Sequence, residues 1–109
     1  MKRTITLLLL FFALLSVSAK VKITRIDPTD WYVGMKDPTL QLMVYGEGIR
    51  DAEVSTDYPH ARIDSLVRLD SPNYLLVYMN LEGAQPGEMR LQFKLNGSKL
   101  TERYVLHAR

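Results

Sequence analysis

The chain has 109 residues, 47% hydrophobic and 24% charged, the length and composition of one folded domain rather than of a disordered or collagen-like chain. It has no cysteine and only two histidines, which excludes a disulfide scaffold, a zinc finger and a cysteine nucleophile and leaves little for acid–base or metal chemistry. The formal charge of +2 belongs to one end: Lys2 and Arg3 lie among nineteen acid-free residues, while residues 20–109 balance twelve cations against the 12 acids, so the body lacks the basic surface a nucleic-acid partner needs.

Met1-Lys2-Arg3 is a basic start, followed by an apolar run from Ile5 to Leu15 broken only by Thr6. Small residues, Ser16-Val17-Ser18-Ala19, close it. This is the layout of a signal peptide over 1–19, cut between Ala19 and Lys20. The run is well short of the roughly 20 residues a spanning helix needs. The reading predicts a periplasmic or secreted protein, free of the membrane after cleavage, whose mature part is one domain over 20–109.

The mature part reads as short strands. Val21 and Ile23 suit a first strand, and Asp27 to Pro38 is the longest irregular stretch. Leu40, Leu42 and Val44 alternate with Gln41, Met43 and Tyr45 up to Gly46-Glu47-Gly48. Ala52–Val54 suits a short strand, and Ile63, Val67 and Leu69 alternate with Arg62, Asp64, Arg68 and Asp70. Ser71-Pro72-Asn73 is a turn. Met89, Leu91, Phe93 and Leu95 alternate with Arg90, Gln92, Lys94 and Asn96, one side dry and one wet. Asn96-Gly97 is a strong hairpin signal, with a return strand from about Lys99 to His107 carrying Leu100, Tyr104 and Leu106. About seven strands without a helix predict an all-β fold, an immunoglobulin-like antiparallel sandwich.

One strand, Tyr74 to Leu81, is apolar on both faces. Leu75, Val77, Met79 and Leu81 are assigned to the core. Tyr74, Leu76 and Tyr78 then face outward, where they are either covered by neighbours in a central strand or form a docking patch for a partner. The stretch from Asp27 to Pro38 holds the only Trp, with Tyr32 and Met35 close by. Trp31, Tyr32 and Met35 either plug one end of the sandwich or contact a sugar or a neighbouring domain, since aromatic rings combine an apolar face with a polar edge.

Chemistry is sparse. His60, Ser65 and Asp64 lack the sequence context of a nucleophile elbow. Asp27, Asp30, Asp57 and Asp70 lie beside turn-forming residues, where local capping is the default. No glycine pattern cradles a phosphate. The residues predict no catalytic group, no metal site and no cofactor.

Ile26-Asp27-Pro28-Thr29-Asp30-Trp31-Tyr32-Val33-Gly34-Met35-Lys36, then Leu40 to Gly46, then Leu69 to Tyr78, resemble the N-terminal domain of cyclomaltodextrinase and neopullulanase enzymes of the α-amylase family of glycoside hydrolases. The likeness covers essentially all of 20–109. It implies an immunoglobulin-like domain ahead of a (β/α)₈ barrel, which carries the catalytic carboxylates and any calcium, and an association with starch and maltodextrin breakdown. It also implies the partners: the catalytic barrel, in cis or lost from this chain, a second subunit in a homodimer, and α-glucan. The sequence given ends at Arg109, where that barrel would begin, and none of its acids matches a catalytic carboxylate. Two functions therefore stand: an accessory domain of an α-glucan hydrolase, contributing to dimer or interdomain contacts and the substrate cleft, and a free-standing exported sandwich that binds glucan or protein.

Overall fold

The computed structural model describes residues 21–109, so the signal peptide expected over 1–19 lies outside the described residues. Eight strands form among the described residues: β1 Arg25–Asp27, β2 Trp31–Val33, β3 Thr39–Tyr45, β4 Glu53–Ser55, β5 Arg62–Arg68, β6 Tyr74–Asn80, β7 Gly87–Leu95 and β8 Ser98–Ala108. A single 3₁₀ turn, Ile49–Asp51, precedes β4. They make two four-stranded sheets, in the orders β1-β3-β6-β5 and β2-β8-β7-β4. Both orders follow the immunoglobulin pattern once β1 and β2 are taken as two halves of a first strand that changes sheet.

That change of sheet corrects two expectations. The stretch from Asp27 to Pro38 is not irregular throughout, because it contains β2, and not every pairing is antiparallel, because β2 runs parallel to β8 with Trp31 opposite Leu106 and Val33 opposite Ala108. Pro28 follows β1 directly and has no N–H with which to continue the ladder against β3. The chain crosses the seam there, and Tyr104 of β8 marks the crossing by donating its hydroxyl to the Pro28 carbonyl at 2.8 Å. Val21 and Ile23 do not form the first strand either. Val21 is buried with its N–H on Ser98 Oγ, and pairing starts only where Thr24 N–H reaches the Tyr45 carbonyl at 2.8 Å. The incoming chain passes so close to Gly46 that a Cβ there would sit 2.2 Å from the Lys22 carbonyl oxygen, so this position admits only glycine.

The core is the inner face of both sheets. Leu40, Leu42 and Val44 of β3 meet Leu75, Val77 and Met79 of β6 on one side, and Met89, Leu91, Phe93, Tyr104 and Leu106 on the other, all buried. Each such side chain contributes about 1.5–3 kcal/mol by leaving water. The β7–β8 hairpin closes at Asn96-Gly97, both in the left-handed region (φ 52° and 80°), with Leu95 opposite Ser98.

The alternation of Ile63, Val67 and Leu69 as one inward set fails at a bulge. Pairing with β6 slips between Ile63 and Ser65. The extra residue, Asp64, reverses the phase, so Leu66 packs on the core while Val67 and Leu69 turn outward, each 37% exposed. Downstream of the bulge Arg68 stitches the two sheets together at this edge: its guanidinium donates to the Arg50 carbonyl and, at 2.9 Å, to the Ala52 carbonyl. The long free edges are poor templates for another strand. β5 carries the bulge and the Arg62–Asp64 pair, and β7 has its Arg90 carbonyl taken by Thr56 Oγ1 at 2.9 Å.

Candidate functional site

Among the described residues, exposed apolar side chains gather in two places, on different sheets. The first is at the end of β8. Successive residues of a strand point to opposite faces, so β2 separates its two aromatic residues. Trp31 lies half-buried against the core, opposite Leu106, whereas Tyr32 stands on the outer face, 45% exposed, beside His107 with ring centroids 5.4 Å apart. Trp31 therefore sits on a strand rather than in a loop, half-buried, with its ring edge-on to that of Tyr32 at 6.3 Å between centroids. Val105, 41% exposed, shares the outer face of β8 with His107, and Met35, in the loop after β2, lines a groove with Tyr32. Asp30 meets His107 here: the His107 Nε2 and Asp30 Oδ2 atoms are 2.8 Å apart. The groove, of about 320 Å³, runs between Tyr32–Pro38 and Leu81–Gly83.

Asp30 also acts on the neighbouring buried Tyr104. Burial first, and the Asp30 charge second, push the Tyr104 phenol well above its usual value, so it stays a neutral donor to Pro28. Sequence reasoning missed Val105 and the Asp30–His107 contact. Val105 carries a signal in its position between the inward Tyr104 and Leu106. The Asp30–His107 contact carries none, because 77 residues separate its partners.

The second cluster is the outer face of the β1-β3-β6-β5 sheet. Tyr74, Leu76 and Tyr78 are half-buried there, alternating with the fully buried Leu75, Val77 and Met79. The register adds neighbours. Tyr45 stands opposite Tyr74, Met43 opposite Leu76, and Val67 opposite Leu76 from the other side. Tyr45 and Tyr74 pack ring on ring at 4.8 Å, and the Arg25 guanidinium lies 5.8 Å above Tyr45. Ion pairs flank the face at both edges, Arg25–Asp27 at 2.8 Å and Arg62–Asp64 at 2.7 Å. β6 is thus a central strand whose outer residues are partly covered by neighbours and still form a continuous apolar surface with them.

Several of the polar residues considered for chemistry are occupied locally or lie apart. Asp64 accepts from Arg62 Nε, and His60 packs over Gly83 on a different loop. Asp27 accepts from Arg25 Nε at 2.8 Å, and Asp70 offers its carbonyl to Arg50 at 2.9 Å. Among the described residues no three His, Asp or Glu side chains converge in a way that would hold a metal ion.

A family model described as cyclomaltodextrinase, N-terminal, matches residues 25–109, from the first residue of β1 to the end of the chain given. The match spans both sheets and both clusters. It supports an accessory domain that α-amylase-family hydrolases carry in cis with their catalytic domain. The chain belongs to the cyclomaltodextrinase N-terminal domain family.

Proposed function

We propose that this chain is the non-catalytic accessory domain of an exported α-glucan hydrolase and that its two apolar clusters are seats for neighbouring domains. The observation that carries the reading is the exposure of Tyr32 on β2, Met35 in the loop after it and Val105 near the end of β8, where the chain leaves the sandwich. A domain that follows in sequence meets these residues first. Large apolar side chains exposed together at such an exit point favour contact with a neighbour over solvent. Tyr74, Leu76 and Tyr78 lie on the other sheet and serve a second contact, with a second subunit or with the flank of the cleft. Trp31, behind Tyr32, supports the seat from the core side. The signal-peptide layout of residues 1–19 supports export, to the periplasm or outside the cell, with a mature N-terminus at Lys20.

The test uses the chain together with a separately expressed catalytic domain of a cyclomaltodextrinase. The chain alone leaves maltodextrin, cyclodextrin and pullulan intact. Calorimetric titration with the catalytic domain gives binding, which Tyr32→Asp or Val105→Asp abolishes while circular dichroism stays β-type. Leu76→Asp leaves that contact in place and weakens self-association. Binding that survives both outer-face changes at β2 and β8 would sink the seat. Maltooligosaccharide binding with no affinity for the catalytic domain would favour the free-standing sandwich instead. Mass spectrometry of protein from its native host reads the mature N-terminus directly.

A further inference from the structure

The three asparagines of the chain, Asn73, Asn80 and Asn96, stand in different circumstances. Asn73 Oδ1 accepts the Gly48 N–H at 3.0 Å, and Asn80 Oδ1 accepts the Glu82 N–H at 2.9 Å. Each is followed by a bulky residue, Tyr74 or Leu81. Asn96 is exposed at the tip of the β7–β8 hairpin, and its side chain enters none of the hydrogen bonds among the described residues. Its successor is Gly97, also exposed, whose N–H makes no backbone hydrogen bond and around whose Cα no atom would crowd even an added Cβ. Lys94 and Lys99 face each other across the strands beside this turn, and Glu53 of β4 stands opposite Lys94 on its other side.

We propose that Asn96-Gly97 is a site of spontaneous covalent modification, in which the Asn96 amide is converted to a carboxylate. Hydroxide or water removes the Gly97 amide proton, and the nitrogen attacks Asn96 Cγ, closing a five-membered ring. The bond from Cγ to the side-chain nitrogen breaks, and that nitrogen leaves with a proton as ammonia. One water then opens the cyclic imide. Addition at Cγ gives aspartate; addition at the Asn96 backbone carbonyl gives isoaspartate, with the chain now running through the side chain. The net reaction consumes one water and releases one ammonia. Glycine is the successor that hinders the attack least, because it has no side chain beside the nucleophilic nitrogen. Isoaspartate adds one backbone atom to a turn whose register is set by Leu95 opposite Ser98, and Ser98 is also the residue that holds Val21. The aspartate product therefore keeps the hairpin, and the isoaspartate product loosens it.

Incubation of the full chain at neutral and at mildly alkaline pH, followed by trypsin cleavage after Lys94 and Lys99, isolates Leu95–Lys99 as one peptide. The expected result is the mass shift of a single amide-to-acid conversion in that peptide. It grows faster at the higher pH, splits into two chromatographic peaks for the two isomers, and outpaces any change at Asn73 or Asn80. Asn96→Gln, whose ring would need six members, loses the shift. If the folded chain shows no conversion at Asn96 over a period in which the urea-unfolded chain converts, the turn protects the site and the proposal is overturned. Equal conversion at all three asparagines overturns it as well.

Discussion

The two outer faces of the sandwich are built on the same scaffold and carry opposite surfaces. On the β2-β8-β7-β4 sheet, Glu88, Arg90, Gln92 and Lys94 of β7 stand opposite Val105, Arg103, Thr101 and Lys99 of β8, a wet stretch in which Val105 is the one apolar residue, with Tyr32 on the neighbouring β2. Its two like-charge pairs are tolerated because solvent screens them and because Glu88 reaches both Arg90, at 4.0 Å, and Arg103, at 3.6 Å. On the β1-β3-β6-β5 sheet the corresponding positions hold Met43, Tyr45, Val67, Tyr74, Leu76 and Tyr78, with charge confined to the edges. Burial on the inner faces is alike, so packing does not explain the difference. On the proposed reading the outer face of β6 is apolar because it meets a partner, and the contrast with the other sheet is what a test must preserve.

The sharpest way to test that separation is to place a charge on either side of one strand. Leu75 is fully buried and its neighbour Leu76 is on the outer face. Leu75→Asp buries an unpaired carboxylate at a cost of several kcal/mol against a total stability of about 5–15 kcal/mol, and urea titration should find the chain unfolded. Leu76→Asp should leave the urea midpoint within a small shift of the parent. If both substitutions unfold the chain, the outer face of β6 is part of the core and the contrast collapses.

A smaller effect separates the two aromatic neighbours on β2. Trp31→Ala removes a large side chain packed on the core and should cost about 3 kcal/mol, the low end for such changes because the indole is only half-buried. Tyr32→Ala should stay within about 0.5 kcal/mol, as befits an exposed residue. Thermal unfolding followed by circular dichroism reads both. Trp31 emission should be blue-shifted and little quenched by acrylamide, and strong quenching would return the ring to the surface.

The bulge in β5 gives a comparison of similar kind. Leu66→Ala should destabilise by about 2 kcal/mol and Val67→Ala by less than about 0.5 kcal/mol. The opposite ranking, measured by urea midpoint, would remove the phase reversal at Asp64.

The gentlest probe is pH, through Tyr104 at the seam between the sheets. Its folded phenol is held above the ordinary value of about 10, so its contribution is complete below that pH and declines as pH rises through it. Stability should fall at strongly alkaline pH. Tyr104→Phe should remove that alkaline dependence and, by losing the bond to Pro28, cost about 0.5–1.5 kcal/mol at neutral pH.

Where local periodicity governs, the sequence by itself determined the structure. The β7–β8 hairpin, with Met89, Leu91 and Phe93 inward and Asn96-Gly97 at its tip, follows from alternation and from the left-handed conformations those two turn residues accept. The division of β6 into a buried set and an outward set follows from the same period of two. The family block was legible because it is contiguous in the chain. Three features were decided only by the tertiary structure. The sheet change at Pro28 depends on β8 offering an edge some 75 residues later, and Trp31-Tyr32-Val33 is too short to display a period of its own. The bulge at Asp64 depends on register against β6, and an inserted residue leaves no trace in composition while reversing every side chain after it. The pairing of Tyr32 with His107 at the end of β8 joins residues from opposite ends of the domain. Alternation fixes which face a residue takes within its strand, whereas the neighbours across that face are chosen by long-range pairing.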